Sequence, residues 1–331
     1  MSLLPTTSHE YAFGQHTKYY IVRDVSKGAY STVHLVRRPE DPLMKIALKK
    51  INVNTAIGLK NIEKEYDIHK SLMNNGGHEN FIKILGMKKE LHHYVFFMEY
   101  ADNGTLSDLI NTNGQPPATV RKYFRQLITG IEYMHKSGIT HCDIKPSNLL
   151  LNKFEILKIT DFGLSCRHLD GDGNYVKITG HLGTRPFAAP EVWKKSELDG
   201  PPTDIWSTGI VLVELLSGTR PWETAMKIKS ITYRQWAKKT TDLLEKPWCM
   251  LDYKALNLAT SILCPDVEKR FTIQQIQEHE WYRIGYESSI GQYEKELNRT
   301  KQKKTDGKTS ISLYPMSYRS PSTSIMMDDE D

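Results

Sequence analysis

The sequence is poor in cysteine, in long apolar runs and in net charge. No apolar run is long enough to span a bilayer, so no membrane association is expected. The formal net charge of +5 is too small to indicate direct nucleic-acid binding. The few thiols have no metal-type spacing, which favours free cysteines in a reducing compartment. The four cysteines among the 331 residues are Cys142, Cys166, Cys249 and Cys264.

The two ends of the sequence also lack features. The first ten residues, MSLLPTTSHE, have neither the cationic nor the apolar region of a secretory signal, so an intracellular location, nuclear or cytoplasmic or both, is expected. Residues 1–17 are interpreted as a leader. Large apolar residues become rare towards the other end, and 285–331 are predicted to be a disordered tail. Its basic stretch, 295–308, fits either a nuclear import signal or a solvated linker.

What remains has ordinary globular composition, with 39% hydrophobic and 25% charged residues. One stretch, ITHCDIKPSNLLLNKFEILKITDFG at 139–163, predicts a hairpin of two apolar strands with polar residues at its open end. Asn148 and Asp161 carry the oxygen ligands that Mg²⁺ prefers. Asp143 can accept the proton of an attacking hydroxyl, and Lys145 can stabilise charge on the transferred group.

This set of side chains indicates phosphoryl transfer, because that chemistry needs a metal, a proton acceptor and a cation around one phosphate. The structural alternative is a buried hairpin with incidental polar residues. Partner motifs that stand in the expected order along the chain argue against that alternative.

The first hundred residues predict about five strands and one helix. The six residues 26–31, SKGAYS, keep only Gly28 of the three glycines in a phosphate-covering loop, and Ser26 and Ser31 replace the outer two. Without its neighbours this segment predicts no more than a hairpin. The predicted strands are 19–25, 32–36, 46–49, 81–85 and 94–99, and the predicted helix is 59–73.

Two charged residues follow the loop. Lys49 ends an apolar strand, where an ammonium is expected to meet phosphate anions, and Glu65 lies midway along the predicted helix, where it can pair with Lys49. Either residue by itself is also compatible with a solvent-facing position. The composition of 99–104 then predicts a turn, interpreted as a hinge whose backbone can bond an adenine edge. Met98 would gate the pocket behind it.

After the hinge the apolar period becomes helical, which predicts helices over 120–134 and 205–216. Asp204 is interpreted, with Thr203, as a cap of the second helix. Its buried carboxylate should accept hydrogen bonds from the backbone of the catalytic loop, the segment around Asp143, rather than remain unpaired. Arg270 is expected to pair with Glu191 of the Ala-Pro-Glu motif.

In this order the motifs resemble a eukaryotic protein kinase domain over residues 19–282. Within kinases, segments such as 139–151, 157–164 and 246–248 are similar to the checkpoint kinase 1 family. The resemblance implies an α+β, two-lobed protein kinase fold over 18–284. Its small N-lobe would hold a five-stranded antiparallel sheet and one helix, and its larger C-lobe would be mainly helical.

The resemblance implies boundaries at 18–98 for the N-lobe, 99–104 for the hinge and 105–284 for the C-lobe. It also implies phosphorylation of serine and threonine in protein substrates by a monomer, with ATP and Mg²⁺ as cofactors, in a DNA-damage or cell-cycle checkpoint. Asp143 and Lys145 would be catalytic, and Asn148 and Asp161 would bind metal. The implied nucleotide-binding residues are Ser26, Gly28, Val33, Ala47, Lys49, Glu65, Met98, Glu99, Ala101 and Leu150.

Three features depart from the family. Cys142 stands where the motif has arginine, two loop glycines are replaced, and the sequence has no Ser-Gln or Thr-Gln dipeptide of the kind that DNA-damage kinases phosphorylate in that family. We also expect no counterpart of the family's regulatory C-terminal region. A pseudokinase scaffold that binds partners without phosphoryl transfer is therefore the alternative, although the retained Lys49, Asp143 and Asp161 favour an active enzyme.

Overall fold

The structure is a computed structural model that describes residues 10–13, 17–28, 31–53, 56–179, 183–194 and 197–285. The chain divides into one unit that ends at Arg283 and a second, Ile284–Asp331, of which only a turn at 284–285 is described. The rest of the predicted tail, with its basic stretch 295–308, lies outside the described residues. Among the described helices, none combines the length and the apolar character needed to cross a membrane.

The N-terminal lobe is built on an antiparallel sheet with the strand order β1-β2-β3-β4-β6-β5. Four of the five predicted strands are confirmed, the fifth prediction, 81–85, overlaps β5 only at 84–85, and β1 is an additional edge strand within the segment interpreted as a leader. The prediction for β5 differs in its start, because Phe81 pairs with Ile159 instead and is buried in the core of the other lobe. The strands are β1 Glu10–Phe13, β2 Thr17–Lys27, β3 Ser31–Arg37, β4 Ile46–Asn52, β5 Ile84–Lys89 and β6 His93–Glu99.

The period of two along β4 decides which face of the sheet each side chain meets. Ile46 and Leu48 point to one apolar cluster, whereas Ala47 and Ile51 belong to a second cluster on the other face. Lys49 is two residues from both Ala47 and Ile51, so its side chain lies on the same face of the sheet as the second cluster. Strand pairing alone therefore aims Lys49 at the cleft between the lobes.

The helices lie mostly in the C-terminal lobe, as predicted. Their apolar residues surround α3 and α4, and α4 is buried on nearly every side, so packing rather than amphipathicity holds it. The helices are α1 Ala56–Ser71 in the first lobe, then α2 Leu106–Leu109, α3 Pro117–Lys136, α4 Gly200–Ser217, α5 Ile231–Ala237, α6 Tyr253–Ile262, α7 Ile273–Glu278 and α8 Glu280–Arg283.

The start of α4 corrects one expectation. The helix begins at Gly200, with prolines at 201 and 202 in its first turn, so Thr203 and Asp204 are helical residues and not caps. Proline is favoured there because its missing N–H is not needed in the first turn. Two short antiparallel pairs complete this lobe: β7 (Ile139–Thr140) with β10 (Cys166–Arg167), and β8 (Leu149–Leu151) with β9 (Leu157–Ile159).

Candidate active site

The predicted hairpin is present as β8 and β9, joined in the register Leu149 to Ile159. Both of these residues are fully buried, so apolar packing fixes the hairpin in the core. The polar residues of interest flank it: Asp143 and Asn148 precede β8, and Asp161 follows β9. A rigid apolar hairpin thus carries three polar residues at its open end.

Asp143 is held by donors on both carboxylate oxygens. The Thr184 N–H and hydroxyl donate to Oδ1 at 2.9 and 2.7 Å. Lys145 Nζ donates to Oδ2 at 2.6 Å and to the Thr184 hydroxyl at 2.8 Å. A carboxylate fixed in this way, beside a cation, can receive the proton of a hydroxyl brought into the position that Thr184 now occupies.

Asn148 is oriented by its amide nitrogen, which donates to the Asp143 carbonyl at 3.0 Å and to Asp143 Oδ2 at 3.3 Å. The amide oxygen is therefore the end available to a cation. Asp161 adopts a left-handed φ of 67°, a conformation that aspartate tolerates better than most residues. Its side chain is 45% exposed, so one of its oxygens can face the cleft.

Lys49 joins two carboxylates. Its Nζ donates to Glu65 Oε1 at 2.7 Å and to Asp161 Oδ1 at 2.9 Å, which confirms the predicted pairing with Glu65. Burial opposes the charge of Lys49, but the two carboxylates outweigh it and raise its pKa. Burial raises and the Lys49 ammonium lowers the pKa of Asp161, and the net direction is down. Lys49 and Asp161 are thus both charged at neutral pH.

Phe162 is buried between aromatic rings from both lobes. The His69 ring lies 4.6 Å from it and the His141 ring 5.2 Å. Burial lowers the pKa of His69 to about 4, so the ring is neutral and its Nε2 donates to the Ile82 carbonyl at 2.6 Å. Phe162, next to Asp161 in the chain, is thus held by rings from both lobes, a packing that the sequence did not reveal.

His69 is a residue that sequence reasoning missed. It lies four residues after Glu65 in α1, so the two side chains share one face of the helix. That spacing was the available signal, because a residue one turn beyond the Lys49 partner must face the same cleft.

Asp204 of α4 binds the backbone of the catalytic loop. Its carboxylate accepts the backbone N–H groups of His141 and Cys142, both at 2.8 Å, and lies 2.9 Å from His135 Nε2. The carboxylate is fully buried. The prediction that it bonds catalytic-loop backbone is confirmed, and its three partners meet the requirement that a buried charge be paired.

The proposed adenine pocket is apolar. Ala47 and Met98 belong to the second sheet cluster, and Val33 of β3, Leu150 of β8 and Ala101, which follows β6, pack against it. The Glu99 N–H is taken by the Lys83 carbonyl at 2.8 Å, so Glu99 can offer only its carbonyl to a base. Flat apolar walls beside hinge backbone suit a purine ring.

The proposed phosphate-covering loop connects β2 and β3, and residues 29–30 of it lie outside the described residues. The Gly28 N–H donates to the Ser31 carbonyl at 2.8 Å, and Ser26 pairs with Val33 in the sheet. Ser26 is exposed. The hairpin therefore has two seryl side chains where the family motif has none.

Ser26→Gly with Ser31→Gly is expected to lower the Michaelis constant for ATP roughly two- to fivefold, about 0.4–1 kcal/mol. Removal of both side chains lets backbone N–H groups approach the phosphates. Steady-state kinetics over a range of ATP concentrations measures the effect. The matched control is the double alanine variant, which keeps both Cβ atoms and should stay near wild type. An unchanged or raised constant in the glycine variant contradicts the prediction.

The sequence is similar to proteins of known family. The protein kinase domain family matches residues 19–282. The serine/threonine-protein kinase chk-1 of Caenorhabditis briggsae is 39% identical over 284 residues, which cover 86% of this chain and 57% of the relative. The chk-1 of Caenorhabditis elegans is 38% identical over 272 residues, with 81% and 53% covered. CHK1 of Saccharomyces cerevisiae is 33% identical over 274 residues, with 80% and 51% covered.

The fold, the paired Lys49 and Glu65, and the catalytic-loop geometry define a phosphotransferase-type site between two lobes. The chain belongs to the protein kinase domain family. Within that family it resembles the serine/threonine kinases of the checkpoint type. The chain spans about half the length of the curated relatives it matches.

Proposed function

We propose that this protein transfers the γ-phosphoryl group of ATP to serine and threonine hydroxyls of protein substrates. The observation that carries the proposal is the unbroken set of contacts from Glu65 through Lys49 to Asp161, beside an Asp143 that already binds a threonine hydroxyl. A protein kinase needs both the lysine–glutamate pair and the metal-binding aspartate in place.

The proposed metal ligands fit Mg²⁺. The described residues contain no group of three or more acidic, histidine or cysteine side chains that could hold a metal ion without a ligand. Mg²⁺ bound beside a nucleotide needs only one or two protein oxygens plus phosphates. Asp161 offers an ionised carboxylate and Asn148 an oriented amide oxygen. Mg²⁺ held there would neutralise the charge of the triphosphate.

The remaining roles belong to the chain's own side chains. Lys49 would hold the nucleotide phosphates, and Glu65 keeps its ammonium aimed at them. Asp143 would orient and deprotonate the substrate hydroxyl, while Lys145 offsets charge on the transferred group. Catalysis on this proposal is mainly positioning and charge stabilisation.

The contact with Thr184 supports serine and threonine as acceptors. Its hydroxyl lies 2.7 Å from Asp143 Oδ1 and 2.8 Å from Lys145 Nζ. The distances show that a short aliphatic alcohol can reach both groups together. A substrate hydroxyl would replace or adjoin this contact.

Resemblance to the chk-1 proteins supports a finer proposal, a role in checkpoint signalling. We also propose that the enzyme acts as a monomer on protein substrates, inside the cell, in the nucleus or the cytoplasm, without direct nucleic-acid binding. The pseudokinase alternative is not supported, because the side chains that transfer needs are paired and oriented despite Cys142 and the altered glycine loop.

The test is transfer of label from γ-³²P ATP with Mg²⁺ to a generic protein such as myelin basic protein, followed by identification of the labelled amino acids. Label on serine and threonine is expected, and none in the Asp143→Asn variant, which controls for a contaminating kinase. ATP binding without transfer would establish a pseudokinase. Label on tyrosine would contradict the proposed acceptor.

The acids that select basic substrates in many relatives are absent or occupied. Thr105 and Ser147 stand where basophilic kinases have carboxylates. Asp108 accepts the N–H and hydroxyl of Thr105 at 2.7 and 2.9 Å. Burial raises the pKa of Glu214, and Arg220 lies 3.5 Å from it. Arg220 therefore offsets part of the charge of Glu214, and Thr105 occupies hydrogen-bonding positions of Asp108 that a substrate arginine would need.

We therefore expect weak selection for arginine three residues before the target. Ser147→Glu should strengthen selection for upstream arginine, because a charge-assisted pair is worth on the order of 1–3 kcal/mol. Oriented peptide libraries measure both effects, and Ser147→Gln, which adds no charge, is the matched control. Dominant arginine selection by the unmodified enzyme would refute the expectation.

A further inference from the structure

Two thiols meet where the catalytic loop touches the segment that follows Gly163. The Sγ atoms of Cys142 and Cys166 lie 3.4 Å apart. Cys142 directly precedes Asp143, and Cys166 belongs to β10, where it pairs with Thr140 of β7. The phosphotransfer chemistry described above uses neither sulfur.

Their two surroundings differ. Cys142 is buried, and its backbone is fixed by Asp204. Cys166 is partly exposed and lines a groove of about 770 Å³ beside α1. The groove gives a small oxidant access to one sulfur only. Its charged lining consists of the cations Lys60, Lys64, Arg167 and Lys177 and the acids Glu63 and Asp67.

The two thiols differ in acidity. The hydrogen bond with Cys142 lowers the pKa of Cys166, and with the help of nearby Lys64 it outweighs burial and the charge of Asp204, which act in the opposite direction. The same bond, together with burial, raises the pKa of Cys142 well above its ordinary value. Cys166 is thus the sulfur that ionises first, and thiolates react with oxidants far faster than thiols.

We infer that Cys142 and Cys166 form a reversible disulfide when a peroxide oxidises the protein. The Cys166 thiolate attacks one peroxide oxygen: an S–O bond forms, the O–O bond breaks, and the departing alkoxide or hydroxide takes up the proton that Cys166 released to solvent, which gives an alcohol or water. The Cys142 sulfur, after loss of its proton, then attacks Cys166. The S–S bond forms, the S–O bond breaks, and the hydroxyl leaves with the proton as water.

The geometry needs little change. A disulfide requires an S–S distance of about 2.05 Å, so the sulfurs must approach by roughly 1.4 Å from 3.4 Å. The bond would tie the residue before Asp143 to the third residue after Gly163.

The test uses the full chain with Cys249→Ser and Cys264→Ser, which removes the two other thiols. The reduced protein is treated with stoichiometric hydrogen peroxide, alkylated and digested with trypsin without reductant. The expected product is peptide 137–153 joined to peptide 159–167, two hydrogens below their summed mass and separated again by dithiothreitol. The thermal midpoint of the oxidised protein should rise by roughly 5 °C.

Cys166→Ser in the same background is the matched control, and it keeps the buried Cys142 and its packing. It should give no linked peptides and no rise in midpoint. Oxidised Cys166 without the linked pair, or no reaction with peroxide at all, would overturn the inference. A linked pair with an unchanged midpoint would overturn the tethering role. The wild-type chain, which retains Cys249 and Cys264, should give the same linked pair.

Discussion

Asp143→Asn is expected to lower kcat by about 10²–10⁴-fold, the usual contribution of a positioned general base. Asparagine keeps the shape of the side chain but cannot accept a proton. One of its ends is also an NH₂ donor, and both oxygens of Asp143 now accept from donors: Thr184 on one side and Lys145 on the other. The NH₂ group of the new asparagine would therefore face either the Thr184 hydroxyl or the Lys145 ammonium, both of which are donors. This repulsion would disturb the alignment of the loop that carries residue 143.

The Michaelis constant for ATP should change much less, because Asp143 contacts the acceptor hydroxyl and not the nucleotide in the proposed mechanism. Steady-state kinetics on one peptide substrate separates the two constants. Asp266→Asn is the matched control, since it removes the same charge from an exposed N-cap that asparagine also fills well. A variant that keeps more than a tenth of wild-type kcat would contradict the role given to Asp143.

Glu191→Ala is expected to lower the free energy of unfolding by about 3–5 kcal/mol, the cost of leaving one partner of a buried pair unpaired. Arg270 donates to both Glu191 oxygens, at 2.6 and 2.9 Å, and also to the Pro202 carbonyl at 2.8 Å. Its guanidinium lies over the Trp206 ring, and its side chain is 1% exposed. Without the carboxylate that charge stays in the core, because water cannot reach it.

The thermal midpoint should fall by roughly 5–15 °C, measured by differential scanning calorimetry at fixed pH and salt. The matched control is Glu280→Ala, which breaks the exposed pair with Lys254 at 3.0 Å. It should cost no more than about 1 kcal/mol, because solvent screens exposed pairs. Equal losses in both variants would show that burial does not strengthen the Glu191 pair.

Local pattern was enough for most of the fold. Strands β2, β3, β4 and β6 and helices α1, α3 and α4 follow from periods of 2 and 3.6 in the sequence. The start of β5 was mispredicted because Phe81 leaves the sheet for the core of the other lobe. Strand β1 was missed because its pairing with β2 depends on register, which its own short sequence does not encode.

Some features of the candidate site were also predicted from the sequence, and others were not. The motif order predicted Lys49, Glu65, Asp143, Asn148 and Asp161, since phosphate chemistry requires those groups at that spacing. The role of His69 against Phe162 was not predicted, because a histidine inside a helix gives no sign of the ring it will meet. Nor did the sequence indicate that the Asp108 carboxylate would accept a hydrogen bond from the Thr105 N–H.

By itself the sequence determined the family, and it predicted the class of chemistry and the residues that the chemistry needs, because these predictions rest on local motifs in order. Only the tertiary structure decided which groups meet. Lys49 reaches Asp161 across 112 positions of sequence, and Cys142 reaches Cys166 across 24. Such contacts depend on how the lobes and loops pack, and no local period carries that information. Charge and reactivity at the site, from the lowered pKa of Asp161 to the unequal thiols, follow from those contacts.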